Sequence, residues 1–170
     1  MARVEQDRQQ EAAYAVVDID GVVADVRHRL AFLDRRPKDW DGFFDAAVDD
    51  PLLPEGAAVV AELAARGLTV VWVTGRPERC RRDTQRWLER YELPAGELHM
   101  RGDRDRRPAR QTKLETIRRL AGAHPVAVFV DDDDAVVRTL RGAGFDVLHA
   151  QWMEEGEPTL FDAQESEGRT

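Results

Sequence analysis

The stretch VVDIDGVVAD, residues 16–25, sets two aspartates one residue apart at the end of an apolar run. Two carboxylates this close repel each other, and burial strips their hydration. Either Asp18 and Asp20 shape a turn, or a positive charge sits with them and they do chemistry. The choice depends on what else the chain brings to that strand end.

Working outward, AYAVVDI (13–19) is rich in Val and Ile and reads as a buried strand. VRHRLAFL and KDWDGFFDAAV read as short helical turns, and Pro51 and Pro54 punctuate the chain after them. EGAAVVAELAARG repeats apolar residues at helical spacing and stops at Gly67, a C-terminal cap. LTVVWVT (68–74) is a second apolar run, and Pro77 fits the first turn of a helix over PERCRRDTQRWLERY. GELHM is a short third strand. RGDRDRRPARQ is a charged loop and TKLETIRRLAG a helix. VAVFV (126–130) is the fourth strand, DDDDAVVRTLRGAG a helix with acids at its start, and DVLHA the fifth strand.

Strands alternating with helices predict an α/β, Rossmann-like three-layer fold. Its five-stranded sheet is mainly parallel, with at most a small helical lid. The folded domain is expected over 13–152, between a loose tail at 1–12 and an acidic tail at 153–170 that is poor in large apolar residues. Ligands gather at the carboxyl ends of parallel strands. Asp18 and Asp20 end the first strand, Thr74 the second, and Asp131 and Asp132 the fourth, so all three clusters are expected on one edge.

The net charge of −8 hides an asymmetry. Residues 76–120 hold 14 Lys/Arg against 8 Asp/Glu, a balance of +6, and the remaining 11 against 25 give −14. A basic middle is either a solvated helix face or a surface for an anionic partner. Cys80 is the single cysteine, so no internal disulfide is expected, which suits a cytoplasmic location. No run approaches the roughly 18 apolar residues of a membrane span.

Four carboxylates on one edge call for a cation. Oxygen-only ligands favour a hard ion, and few protein ligands with room for water and phosphate favour Mg²⁺. His28, His99, His124 and His149 are scattered, without zinc-like spacing.

VVDIDGVV resembles the first motif of the haloacid dehalogenase-like hydrolases, an apolar strand followed by Asp-x-Asp-Gly. VVWVTGR resembles their second motif, Lys113 fits the third, and VAVFVDDD fits the fourth. The resemblance implies that Asp18 attacks phosphorus and forms an aspartyl-phosphate. It casts Asp20 as general acid and base, Thr74 as a hydrogen-bond donor to a phosphoryl oxygen and Lys113 as a neutraliser of charge. Asp131 and Asp132 would complete a Mg²⁺ shell with Asp18 and the Asp20 backbone carbonyl, leaving Asp133 or Asp134 to cap the next helix. Val22 departs from the family, which commonly has Thr after the glycine.

Roughly 30 residues separate Asp20 from the helix at 55, enough for a small lid and too few for a cap domain. Such an open site suits a large substrate. VTGRPERCRRDTQRWLERYELP, DRDRRPARQTKLETI and VDDDDAVVRTLRGAGFDVLHAQW resemble the phosphatase domain of polynucleotide kinase-phosphatases. That domain removes 3′-phosphates from nucleic acid ends. The resemblance implies that Gly75 and Arg76 meet the substrate, and that Arg79, Arg81, Arg82, Arg104, Arg106 and Arg107 meet a phosphodiester backbone. Trp40, Phe43 and Phe44 offer either a stacking face for bases or the core of the lid. The kinase signature GxxxxGK[ST] is absent from the chain. Two rivals stand beside this reading: a small-molecule phosphatase such as a 5′-nucleotidase, and a non-catalytic binding or regulatory protein on the same fold.

Overall fold

Ala15 and Val17 point to one face of the first strand and Val16 to the other, and all three are fully buried. A strand covered on both faces belongs to a parallel sheet between helical layers, which is why the run reads apolar throughout instead of alternating. The computed structural model describes residues 12–153, so the expectations for the two tails fall largely outside the described residues. Five strands, β1 (Tyr14–Val17), β2 (Thr69–Pro77), β3 (Leu98–Arg101), β4 (Val126–Asp131) and β5 (Val147–His149), form one sheet in the order β3-β2-β1-β4-β5. Every neighbouring pair is parallel.

Helices α2 (Pro54–Ala65) and α3 (Arg81–Arg90) cover one face through Val60, Leu63, Trp87 and Leu88. Helices α4 (Ala109–Ala123) and α5 (Asp134–Gly142) cover the other through Ile117, Leu120, Val136 and Leu140. The chain runs outward from β1 to β3, then returns across β1 to β4. That reversal makes the carboxyl ends of β1 and β4 the topological switch point, where such sheets bind ligands.

The lid is a 3₁₀ turn (Arg27–Phe32), the short helix α1 (Trp40–Asp45) and a second 3₁₀ turn (Ala46–Asp49). Asp39 caps α1 by accepting from the Gly42 amide. Trp40, Phe43 and Phe44 pack with Val26, Leu30, Leu33 and Cys80, so they are the lid's own core and not an open stacking face. Gly67 has φ +83° just past α2, the left-handed position that ends a helix at low cost.

Pro77 does not begin a helix. With ψ 151° it is the extended last residue of β2, paired with Arg101, and a 3₁₀ turn (Glu78–Cys80) precedes α3. A proline supplies φ near −65° to strand and helix alike, so sequence alone does not separate the two.

Candidate functional site

Asp18 follows the last residue of β1, and its amide donates to the Val130 carbonyl of β4 at 3.0 Å. This bond brings the first aspartate beside the end of the fourth strand. Asp18, Asp131 and Asp132 each place a carboxylate oxygen within 4.8 Å of the others. Lys113, buried on α4, donates to Asp18 Oδ2 at 2.9 Å and to Asp131 Oδ2 at 2.7 Å.

The four-aspartate run is divided by its backbone. Asp131 ends β4, and its Oδ1 accepts the Asp133 amide at 3.0 Å. Asp132 turns into the cluster, its carbonyl receiving His149 Nε2 at 3.0 Å. Asp133 is the N-cap of α5, accepting from Ala135 and Val136 amides. Gly21 makes room for Asp132: a Cβ there would lie 1.8 Å from Asp132 Oδ2, and its φ of +77° also favours glycine.

Burial is the largest influence on Asp18. It raises the carboxyl to about 7, Lys113 opposing it while Asp131 and Asp20 reinforce it. Burial and the charges of Asp131 and Asp18 push Asp132 well above the carboxylate range. Lys113 is desolvated too, but Asp131 and Asp18 outweigh that and hold it firmly protonated. Fully ionised, the three carboxyl groups and the Lys113 ammonium would sum to −2, a charge that a divalent cation cancels, and the upward shifts of Asp18 and Asp132 reflect the cost of that charge without one. An all-oxygen donor set with glycine beneath it suits a hard ion such as Mg²⁺.

Asp20 lies outside that cluster of side chains. Its Oδ1 accepts from Arg29 Nη2 at 2.8 Å and from Arg76 Nη2 at 2.6 Å. Both guanidiniums also hold Asp50 Oδ2, at 2.7 and 2.9 Å. Two carboxylates and two guanidiniums, all buried, form a neutral quartet. Burial alone would raise Asp20, but Arg29 and Arg76 prevail and bring it to about 2.

Elements far apart in sequence set this quartet. Arg29 comes from the lid's first turn, stacked over Phe43 at 4.2 Å. The Asp50 carbonyl is held by Trp87 Nε1 at 2.9 Å and Tyr91 Oη at 3.2 Å. His28 Nε2 reaches Asp50 Oδ1 at 2.8 Å from the solvent side.

Sequence reasoning misses Arg29 and Asp50. Their one signal is an arginine facing inward within an apolar turn, and an aspartate before Pro51 gives none. Arg76, expected to meet the substrate, is 1% exposed, and its side chain hydrogen-bonds to Asp20 and Asp50. Thr74 is buried beside it and accepts the Arg76 amide at 3.2 Å.

The basic stretch is also more nearly neutral than its composition suggests. Arg79 pairs with Asp41 and Asp45, Arg81 with Glu78, and Arg107 with Asp105 and Glu115. Arg82, Arg104 and Arg106 have no carboxylate partner among the described residues. Beside Gly75, between α1 and the β3–α4 loop, lies a small open cleft whose charged lining is mixed, Arg79, Arg101 and Arg106 standing with Asp41 and Asp103.

A parallel sheet in this order, with acids at its switch point and a lysine between them, defines a haloacid dehalogenase-like phosphatase fold. The chain belongs to the family of polynucleotide kinase PNKP phosphatase domains, whose model matches residues 12–154. Among solved structures, it is similar to a chain of the Pnkp1/Rnl/Hen1 RNA repair complex (TM-score 0.69, 24% identity), covering 84% of this chain and 44% of that one. It thus spans less than half of that relative. The class C acid phosphatase from Bacillus anthracis (TM-score 0.63, 15% identity, 91% and 73% covered) shares the fold. So does a haloacid dehalogenase-like family protein from Streptococcus pneumoniae (TM-score 0.59, 12% identity, 91% and 92% covered). No curated protein matches the sequence at a significant level. Among the described residues no helix is long and apolar enough to cross a membrane.

Proposed function

We propose that this protein is a Mg²⁺-dependent phosphatase that removes 3′-phosphates from nucleic acid ends through an aspartyl-phosphate on Asp18. The observation that carries the proposal is the buried contact of Asp18 with Lys113 inside a cluster of three carboxyl groups. Asp18, Asp131, Asp132 and the Asp20 carbonyl would hold the ion, which neutralises phosphoryl charge when bound.

Lys113 shields the negative charge of Asp18 as it approaches phosphorus, and the Thr74 hydroxyl donates to a phosphoryl oxygen. The Asp18 carboxylate displaces the alkoxide of the ester, then water attacks the acyl-phosphate and restores Asp18. Asp20, already a carboxylate, is set to accept the proton of that water. To protonate the departing alkoxide it must first gain a proton, which Arg29 and Arg76 oppose. The quartet therefore sets the balance between the two steps, and Gly75 lets the substrate pass close to the end of β2.

The nucleic acid assignment is supported by the family match and by the neighbour from an RNA repair complex. Phosphate release from a 3′-phosphorylated oligonucleotide is expected to exceed release from mononucleotides. A clear preference for mononucleotides would instead make it a nucleotidase. Inactivity with Mg²⁺ on a broad ester panel would leave a binding protein on this fold.

The acidic cluster also makes a thermal prediction. Asp18 binds its proton more tightly folded, at about 7, than its ordinary value of 3.8 allows unfolded. Its contribution thus costs stability as pH rises from about 4 to about 7, and the cost is complete above that. Mg²⁺ relieves it by binding the carboxylates. The rise in Tm on adding Mg²⁺ is expected to be larger at pH 8 than at pH 5, and equal shifts would contradict the charge balance.

A further inference from the structure

The chain leaving β5 returns across the carboxyl ends of β4 and β1. The Ala150 amide first donates to the Asp131 carbonyl at 2.8 Å. His149 Nε2 lies 3.0 Å from the Asp132 carbonyl. A carbonyl only accepts, so Nε2 carries the proton of that bond. Three residues on, Trp152 Nε1 donates to the Val22 carbonyl at 2.9 Å. Ala150 and Trp152 belong to the core shared with α2 and α3, and Met153 packs against the core of the lid. Residues 149–153 thus form a strap that touches the loop bearing Asp131 and Asp132, the loop after Asp18 and Asp20, and the lid.

Both loops need such a hold. After β1 the chain turns tightly, and the Ile19 carbonyl accepts the Val22, Val23 and Ala24 amides at 3.2, 2.9 and 2.9 Å. The Val22 carbonyl takes its donor from outside this turn, from Trp152. The backbone of α2 closes on the same carbonyl: a Cβ at Gly56 would lie 1.7 Å from it. Across the site, Lys113 ties Asp18 to Asp131, whereas Asp132 is held through its main chain by His149. Before a cation binds, the ionised carboxylates of Asp18, Asp131 and Asp132 repel one another and push the two loops apart. The strap opposes that push with one side-chain donor on each loop.

We infer that His149 and Trp152 are positioning residues that fix the two acidic loops at the spacing a divalent cation requires, and so set the affinity of the site for Mg²⁺. The inference rests on the reading of Asp18, Asp131 and Asp132 as the metal site. Its test therefore reads metal binding and not turnover.

The Tm of the whole chain is followed at pH 8 over a series of Mg²⁺ concentrations, because the rise above the metal-free value reports the binding constant. His149→Phe keeps a ring and loses the donor. It is expected to need about tenfold more Mg²⁺ for the same rise, the scale for a hydrogen bond that orients a metal ligand. His149→Gln has an amide that donates to a carbonyl, and should recover most of that loss. Trp152→Phe keeps the aromatic packing without the indole N–H. It should weaken Mg²⁺ binding as well, and it carries the test if His149→Phe does not fold. A strap that serves stability alone predicts a lower metal-free Tm and the parent's rise at each Mg²⁺ concentration. That result in the folded variants overturns the inference while the metal site stands. Equal weakening in His149→Phe and His149→Gln overturns the donor role of His149. A parent chain whose Tm does not respond to Mg²⁺ overturns the metal site, and this inference with it.

Discussion

Asp18→Asn is expected to lower phosphate-ester turnover by about 10³-fold or more while the protein stays folded. An amide is a poor nucleophile toward phosphorus, so the covalent route closes and only binding and shielding remain. The fold should not suffer. Burial penalises the Asp18 charge, and Asp131 and Asp20 add to the penalty, so a neutral isostere relieves repulsion. Lys113 keeps Asp131 at 2.7 Å. In metal-free buffer at pH 8 the variant should melt no lower than the parent. Turnover near that of the parent in a folded variant would remove Asp18 as the nucleophile, whatever the substrate.

Arg29→Met is expected to cost about 3–5 kcal/mol of stability, the scale found when one partner of a buried ion pair is removed. Arg29 is fully buried and holds Asp20 and Asp50 together, so its loss leaves two carboxylates facing Arg76 alone. The companion is Asp50→Asn. It leaves two guanidiniums with Asp20 alone, and should also destabilise. Combining the two restores neutrality, with Asp20 against Arg76, so the double variant should be less destabilised than the sum of the singles. Urea midpoints of the four proteins measure this coupling. Strict additivity would mean that the quartet does not act as a unit.

The sequence is informative where chemistry coincides with the end of an apolar run. Asp18 and Asp131 stand at such ends, and a parallel sheet brings strand ends together whatever the connections between them; Thr74 also closes its apolar run, but β2 itself continues to Pro77, so the expected strand end falls three residues early. The register of the acidic run obeys the same logic, with Asp133 left to cap α5. Arg29 and Asp50 have no such marker. They meet only because the lid folds back on itself, 21 positions separating residues that share a hydrogen bond. Arg76 is visible as a motif residue, but its contacts with Asp20 and Asp50 are not, because they depend on the fold of the lid. The basic segment misleads for a related reason. Composition counts charges, whereas Arg79, Arg81 and Arg107 each find acids within reach in the folded chain.

The lid's place in the quartet bears on modularity. Segments inserted above a shared sheet are natural units for exchange between relatives, because they can vary while the scaffold holds. Here the insertion contributes Arg29 and Asp50, whereas Arg76 belongs to β2 and the donors Trp87 and Tyr91 to α3 and the residue after it. A graft of residues 26–53 onto another phosphatase of this fold would carry half of a charge balance. It would need Arg76, Trp87 and Tyr91 to travel with it, so this region is an interlocked block and not an interchangeable cover.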